Sequence, residues 1–383
     1  MNFLGYERPD GQVGIRNWIG VISVMDNINP ITRAICGAVD GTIPITTLFV
    51  RGQFGRDLEI AFDTLGGMGR NPNLAGALVI GLEEYSTGQI ADRIANTGKP
   101  VETVILQQTG GSIAATAEGT EKAAALVAEA SSLRRKDLPA STLTLGVECG
   151  GSDTTSGLAS NPAIGRAADR LVDDGGTVII SETSEFLGAE DLFAERAVDD
   201  SVKQAFLDRV LGHEKASMER GLDIRGANPV ADNIKGGLST IEEKALGAMS
   251  KAGTRPLVGV LDYGESPVHK GMHFMATPAP AVESMTAFAA SGCQLIAFST
   301  GVGNIIGNYV SPTIKVSGNP KTVVKMPINI DYDVCPIIED GRTITEVGDE
   351  LYEYMLDVSS GTKVASEILN QRETAISRFE PSI

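Results

Sequence analysis

Cysteine is scarce in this chain: Cys36, Cys149, Cys293 and Cys335 are the four in 383 residues, and no two are closely spaced. That argues against a disulfide framework and against the paired thiols of a zinc or thioredoxin-type motif. Histidine is rarer still at three, and tryptophan occurs once. Basic residues are outnumbered, 32 Lys and Arg against 49 Asp and Glu, for a formal charge of −17. So acidic a chain lacks the footprint of a nucleic-acid binder, which gathers Lys and Arg against phosphates. An anionic small molecule is not excluded, because a few cations collected in a cleft outweigh the net field. No run approaches the ~18 consecutive apolar residues of a membrane span. The opening Met1 to Arg8 lacks the basic end and apolar stretch of a secretion signal. The expectation is a cytoplasmic enzyme with neither a nucleic-acid nor a membrane partner.

What is abundant is glycine, 44 residues, within a composition that is 42% hydrophobic and 21% charged. This suits a globular α/β protein with many tight turns, and the length favours two or three domains. Short β-branched runs at Trp18 to Val24, Ile45 to Val50, Ala77 to Ile80 and Val101 to Leu106 alternate with Ala-rich amphipathic stretches, the pattern of a parallel sheet. A helix is predicted over Thr116 to Arg135, and Lys136 to Ser141, with Pro139, reads as a link. The domains are therefore expected at 1–138 and 139–383. In the second, strands are predicted at 143–147, 177–181, 257–261, 294–299 and 313–316. Helices are predicted near 163–173, across 190–222 and near 345–356. The expected fold class is α/β, two parallel-sheet units of the doubly wound type with active-site loops at the strand C-terminal ends.

Polar, glycine-containing patches recur at those ends: 23–29, 51–57, 81–84, 148–153, 182–190 and 300–308. Ligands of open parallel sheets gather at that edge. The richest patch is Glu148-Cys149-Gly150-Gly151-Ser152-Asp153. Its glycines let the backbone approach a ligand and turn N–H groups toward an anion. It reads equally as a polar strand-to-helix turn capped by Asp153 or Thr154. Thr300-Gly301-Val302-Gly303-Asn304 misses the dinucleotide spacing, which argues against a nucleotide cofactor, yet it suits a small anion-binding turn or an ordinary glycine turn. Lys235, beside Gly236 and Gly237, suits a base or an anion clamp. Lys244 reads as solvated or ion-paired, and Glu242 and Glu243 as cap partners. Arg51 and Arg56 put two guanidinium groups on one loop, a fit for carboxylate, phosphate or sulfonate. His269 and His273, four apart, would share a metal only if helical, and Gly271 between them opposes a helix. His213 reads as solvent-exposed.

Together these runs resemble the altronate/galactarate dehydratase superfamily over essentially the whole chain. The resemblance is carried by Gly11 to Asn17, by Glu148 to Asp153 with Ser156-Gly157 and Asn161-Pro162, by Ser181-Glu182 with Glu185 and Gly188 to Glu190, by Lys235 to Lys244 with Gly247, and by Phe298 to Gly303. Two departures narrow it. The sugar-acid dehydratases carry a small SAF-type domain ahead of this core on the same chain, so the resemblance implies a separate small SAF-type subunit and an assembly of heterodimers. They also carry cysteines at positions that align with Asp26, Arg56 and Glu84. Loss of those thiols suggests a leaving group that needs less Lewis-acid help and brings more negative charge. The chain is therefore most similar to the large subunits of the sulfolactate-splitting branch, which eliminate sulfite from (2R)-3-sulfolactate to give pyruvate.

The resemblance implies a divalent metal, with iron as one candidate, and a small organic-acid substrate. On that basis Glu148, Ser152 and Asp153 are assigned near the metal or the C2 hydroxyl and Lys235 as base or enediolate partner. Arg51 and Arg56 are assigned to the sulfonate, with Gly150, Gly151, Thr300, Gly301, Gly303 and Asn304 around the substrate. Cys149, Glu182 and His273 are the candidate metal ligands. The alternatives are a hexonate or hexarate dehydratase subunit and, in a different class, a non-catalytic binding subunit.

Overall fold

The computed structural model describes residues 1–380 and 382. The alternating strand and helix pattern produces two parallel sheets. The smaller has four strands in the order Thr42–Ile45, Trp18–Ser23, Leu74–Gly81 and Val101–Ile105, every neighbour parallel. All residues of Leu74–Gly81 are buried, as a strand covered by helices on both faces requires. The larger sheet has seven, in the order Leu257–Leu261, Gly271–Met275, Thr177–Ile180, Thr144–Cys149, Leu295–Ser299, Thr313–Ser317 and Tyr332–Asp333, again all parallel. The α/β class with parallel sheets is as expected.

The chain enters the larger sheet at Thr144–Cys149, places Thr177–Ile180 on one side and later Leu295–Ser299 on the other. The direction of strand order reverses there, which makes the C-terminal ends of Thr144–Cys149 and Leu295–Ser299 the topological switch point where such sheets bind ligands.

A third, antiparallel sheet pairs Asn2–Glu7 with both Val13–Gly14 and Lys136–Pro139. The stretch read as a link thus contains a strand, and residues 138 and 139 lie inside it. Helix Gly55–Arg70 packs beside Ala281–Ser291 and joins the two units. Gly67 is needed at this contact, since a Cβ there would lie 2.5 Å from the Ala290 carbonyl oxygen. Asn71 Nδ2 adds hydrogen bonds to the carbonyls of Ala289 (2.8 Å) and Cys293 (2.9 Å).

Two expectations change, and the doubt over a helix at His269 and His273 is upheld. The strand predicted over 45–50 stops at Ile45. Beyond it the backbone turns, with φ of 82° at Phe49 and 79° at Val50, so the β-branched content of that run does not extend the edge strand. His269 and His273 are not on a helix: Gly271, at φ 118°, opens strand Gly271–Met275. The span 190–222 splits into helices Glu190–Ala194 and Asp200–Glu219, and His213 on the second is half-buried, with burial lowering its pKa.

Candidate active site

Strand Thr144–Cys149 delivers Glu148 and Cys149 to the switch point already buried. Glu148 Oε2 accepts hydrogen bonds from Ser181 Oγ (3.1 Å) and Ser284 Oγ, and those two hydroxyls lie 2.5 Å apart. Its Oε1 is buried without a partner. Burial first, then the negative charge of Glu182, raises the pKa of Glu148 well above the usual carboxylate value, against the opposing pull of Lys251. Burial and the neighbouring carboxylate thus favour the protonated form of Glu148.

Beside it lies a second group of side chains. Lys251, in the turn Ser250–Ala252, is fully buried and donates from Nζ to Glu182 Oε2 (2.6 Å) and Cys149 Sγ (3.2 Å), while Cys149 Sγ is 3.5 Å from Glu182 Oε2. Burial works against the lysine's charge, but the acidic company of Cys149, Glu182 and Glu148 outweighs it and holds the ammonium above its ordinary value. Burial, reinforced by Glu182, pushes the Cys149 thiol upward. At its centre is one buried ion pair, Lys251 with Glu182, and burial favours the protonated forms of the Cys149 thiol and the Glu148 carboxyl beside it. Glu182 holds φ 72°, a left-handed conformation uncommon outside glycine, pinned by its N–H donating to Thr277 Oγ1 (3.0 Å). Such local strain gathers at functional sites. Outside this core, Lys244 Nζ bonds Glu185 Oε1 (3.0 Å) and Asn228 Oδ1 (2.7 Å). Lys244 is thus ion-paired as read, and Glu243 accepts the Ser239 N–H (2.8 Å) as a cap partner.

The loop after the strand is built differently. Asp153 Oδ1 accepts from Thr155 Oγ1 (2.6 Å) and the Ser156 N–H (3.0 Å), and Oδ2 from Asn319 Nδ2 (2.7 Å), so the capping reading holds at this residue. The Ser152 carbonyl accepts from Asn233 Nδ2 (3.0 Å). The N–H groups of Gly150, Thr300, Gly301 and Gly303 are taken up internally, by Ser299 O, Val316 O, Gly151 O and Thr300 Oγ1. Asn304 Oδ1 accepts from the Ile306 N–H (2.9 Å). Gly150 and Gly301 are required by close packing: a Cβ on the first would meet the Phe298 ring at 2.8 Å, and on the second the Asp153 carboxyl at 2.2 Å. Beyond Asp153 opens a cleft of about 570 Å³ lined by Lys235, Asp232, Val302, Asn319, Lys321 and Lys325, among others.

The structure therefore unites Glu148, Cys149 and Glu182, puts Lys235 and Asp153 on one cleft, and leaves Arg51 and Arg56 apart. Both arginines are exposed, and Arg56 lies over the Phe379 ring, 5.4 Å from its centroid. His273 does not join Cys149 and Glu182. It is buried within its strand, Nδ1 3.3 Å from Gly271 O and its ring against Gly259. Among the described residues no three His, Cys, Asp or Glu side chains converge in a way that could hold a metal ion. The space between Cys149 and Glu182 is filled by the Lys251 ammonium, so these side chains as placed do not fit a divalent metal.

Lys251, Ser284, Thr277 and Glu185 were not among the candidate residues. Glu185 carried a signal in the resembling runs. Lys251, shortly after an amphipathic helix, reads like any solvated lysine.

Two families match this chain. The one described as D-galactarate dehydratase/Altronate hydrolase, second domain, matches residues 5–131, and D-galactarate/Altronate dehydratase, C-terminal, matches residues 140–382. The chain belongs to the D-galactarate/altronate dehydratase family. It is 41% identical to the (2R)-sulfolactate sulfo-lyase subunit beta of Chromohalobacter salexigens, across 99% of this chain and 98% of that one. It is 31% identical to the altronate dehydratase of Bacillus subtilis, across 98% of this chain and 77% of that one. The galactarate dehydratase (L-threo-forming) of Escherichia coli is also 31% identical, across 94% of this chain and 73% of that one. These relatives are lyases and dehydratases, which supports an enzyme here.

Proposed function

We propose that this chain is the large subunit of a lyase that splits (2R)-3-sulfolactate into pyruvate and sulfite. The observation that carries the reading is the desolvated acid, thiol and ammonium cluster at the switch point, in a chain similar to a sulfo-lyase subunit over nearly its whole length. The similarity to a protein named subunit beta supports a partner subunit, and a small SAF-type chain is the proposed one.

The chemistry sets the demand. The C2–H bond breaks to a base, its electron pair forms the C2–C3 double bond, and the C3–S pair leaves with sulfur as sulfite. Enolpyruvate then gains a proton at C3 and loses the one on its C2 hydroxyl to give pyruvate. The intermediate carries extra negative charge beside a carboxylate, and fixed positive charge in a water-poor site stabilises it most. Lys251, locked by Glu182, supplies such charge with little reorganisation. Lys235, beside Asp153, is assigned as the cationic partner of the enediolate, and Glu148, held toward its protonated form by burial, is the acid available to deliver the C3 proton.

The test is to purify the chain with any subunit that co-purifies and assay 3-sulfolactate, galactarate and altronate in parallel. Equal amounts of sulfite and pyruvate from 3-sulfolactate are expected. Dehydration of galactarate or altronate without sulfite release from 3-sulfolactate would transfer the chain to the sugar-acid dehydratases.

A further inference from the structure

We infer that Lys321 and Lys325, with Lys235 on the same cleft, form an oxyanion subsite, and, resting on the function proposed above, that it takes the sulfonate of the substrate.

The argument begins with charge. In a chain with 49 acidic and 32 basic Lys and Arg side chains, an unopposed group of lysines is unexpected. Among the described residues, none of Lys235, Lys321 and Lys325 takes part in an ion pair. The acids lining the cleft are Asp232 and Asp153, and the Asp153 oxygens are already engaged by Thr155, Ser156 and Asn319. The local balance is thus positive against a negative field, which concentrates small anions.

The cleft is also built. Lys321 and Lys325 are four apart on helix Pro320–Lys325, a spacing that puts both on one face. Asn319 caps that helix through Oδ1 to the Lys321 N–H (3.0 Å) and ties it through Nδ2 to Asp153 (2.7 Å). Thr322 Oγ1 fastens it to the Gly301 carbonyl (2.6 Å). On the other wall, the Thr154 N–H bonds the Gly236 carbonyl (3.2 Å), next to Lys235. These ties lead to the loops that follow Cys149 and Ser299, the two adjacent strand ends at the switch point, so the lysines are positioned from the same edge of the sheet as the buried cluster. An ammonium offers three donors to the three oxygens of a sulfonate.

The probe is inorganic sulfate, which copies the tetrahedral oxyanion and cannot react, titrated at constant ionic strength by calorimetry and as a competitive inhibitor. The protein is the full chain with any subunit that co-purifies. Lys321→Ala and Lys325→Ala should each raise the sulfate Kd and the KM for 3-sulfolactate roughly tenfold, the loss of one charge-assisted contact, with kcat changed far less. Lys321→Arg and Lys325→Arg, which keep the charge, should stay within about threefold of the parent. Lys136→Ala, on the antiparallel sheet, serves as the charge control and should match the parent. A double alanine variant that folds and keeps both constants within about twofold overturns the proposal. Lost sulfate binding together with a parent that releases no sulfite from 3-sulfolactate leaves the oxyanion subsite standing and removes the sulfo-lyase reading instead.

Discussion

The two parallel sheets end in opposite ways. Past the strands of the smaller sheet come Asp26, Arg51, Arg56 and Glu84, all exposed. At the last residues of the strands of the larger sheet, and just past them, come Glu148, Cys149, Ser181, Glu182, Ser299 and Thr300, all buried. Unit charges 4 Å apart interact by about 1 kcal/mol in water and by about 4 kcal/mol near a protein surface, more where water is absent. Similar residue types therefore do different physical work: water screens the first set, while the second holds its charges against each other. The comparison favours the larger sheet for the proposed reacting centre.

Its strongest test is Lys251. Replacing it with Met leaves Glu182 without its cation in a dry site, and breaking a buried pair from one side costs about 3–5 kcal/mol. Lys251→Met should lower the melting temperature sharply and abolish sulfite release. Lys251→Met with Glu182→Gln should recover part of the stability but none of the turnover, because the stray charge is gone and the fixed field with it. Glu84→Gln, at the end of the smaller sheet, should lie within about 0.5 kcal/mol of the parent. Comparable melting temperatures for Lys251→Met and Glu84→Gln would erase the distinction between the two ends.

The same contrast explains what was legible in the sequence. Strands such as Thr177–Ile180 and Leu295–Ser299 stand out because parallel strands buried on both faces need near-continuous apolar runs. Glu148, Cys149 and Glu182 stand out because acids and a thiol directly after such runs have few structural explanations. Lys251 and Ser284 do not, since their value lies in contacts to residues 102 and 136 positions away, and no local pattern encodes a partner at that distance. Arg51 and Arg56 are conspicuous in sequence as a paired-guanidinium loop, but whether exposed cations share one cleft, as Lys235, Lys321 and Lys325 do, is decided by the fold. Strand Gly271–Met275 escaped because Gly and His mask an apolar run of five residues.

A finer test asks whether Glu148 is neutral. With a folded pKa above the ordinary 4.5, the native chain keeps a proton that the unfolded chain releases. The stability from this group is complete below the unfolded value and is lost progressively as pH rises toward the folded one. Glu148→Gln cannot titrate and keeps an oxygen to accept from Ser181 and Ser284. Its melting temperature relative to the parent should therefore climb between pH 5 and pH 7.5, by roughly one to a few degrees. Glu185, also raised by burial, follows the same direction in both proteins and cancels in the difference. A flat difference across that range would mean that Glu148 is charged at both ends of it, and the neutral acid would have to be given up.

The smallest expected effect belongs to the arginines. Arg56 is exposed and its one aromatic contact, over Phe379, is of the kind worth about 0.5–1 kcal/mol in solvent. Arg51→Ala and Arg56→Ala should each leave the KM for 3-sulfolactate within about twofold, against the roughly tenfold expected at each cleft lysine. The two sets carry the same charge, so net charge cannot produce the difference; only position can. If Arg56→Ala raised KM as far as Lys321→Ala while binding of sulfate to the lysine cleft was unchanged, the sulfonate would belong at the end of the smaller sheet. Substrate would then span both sheets, and the exposed end would be half of the site.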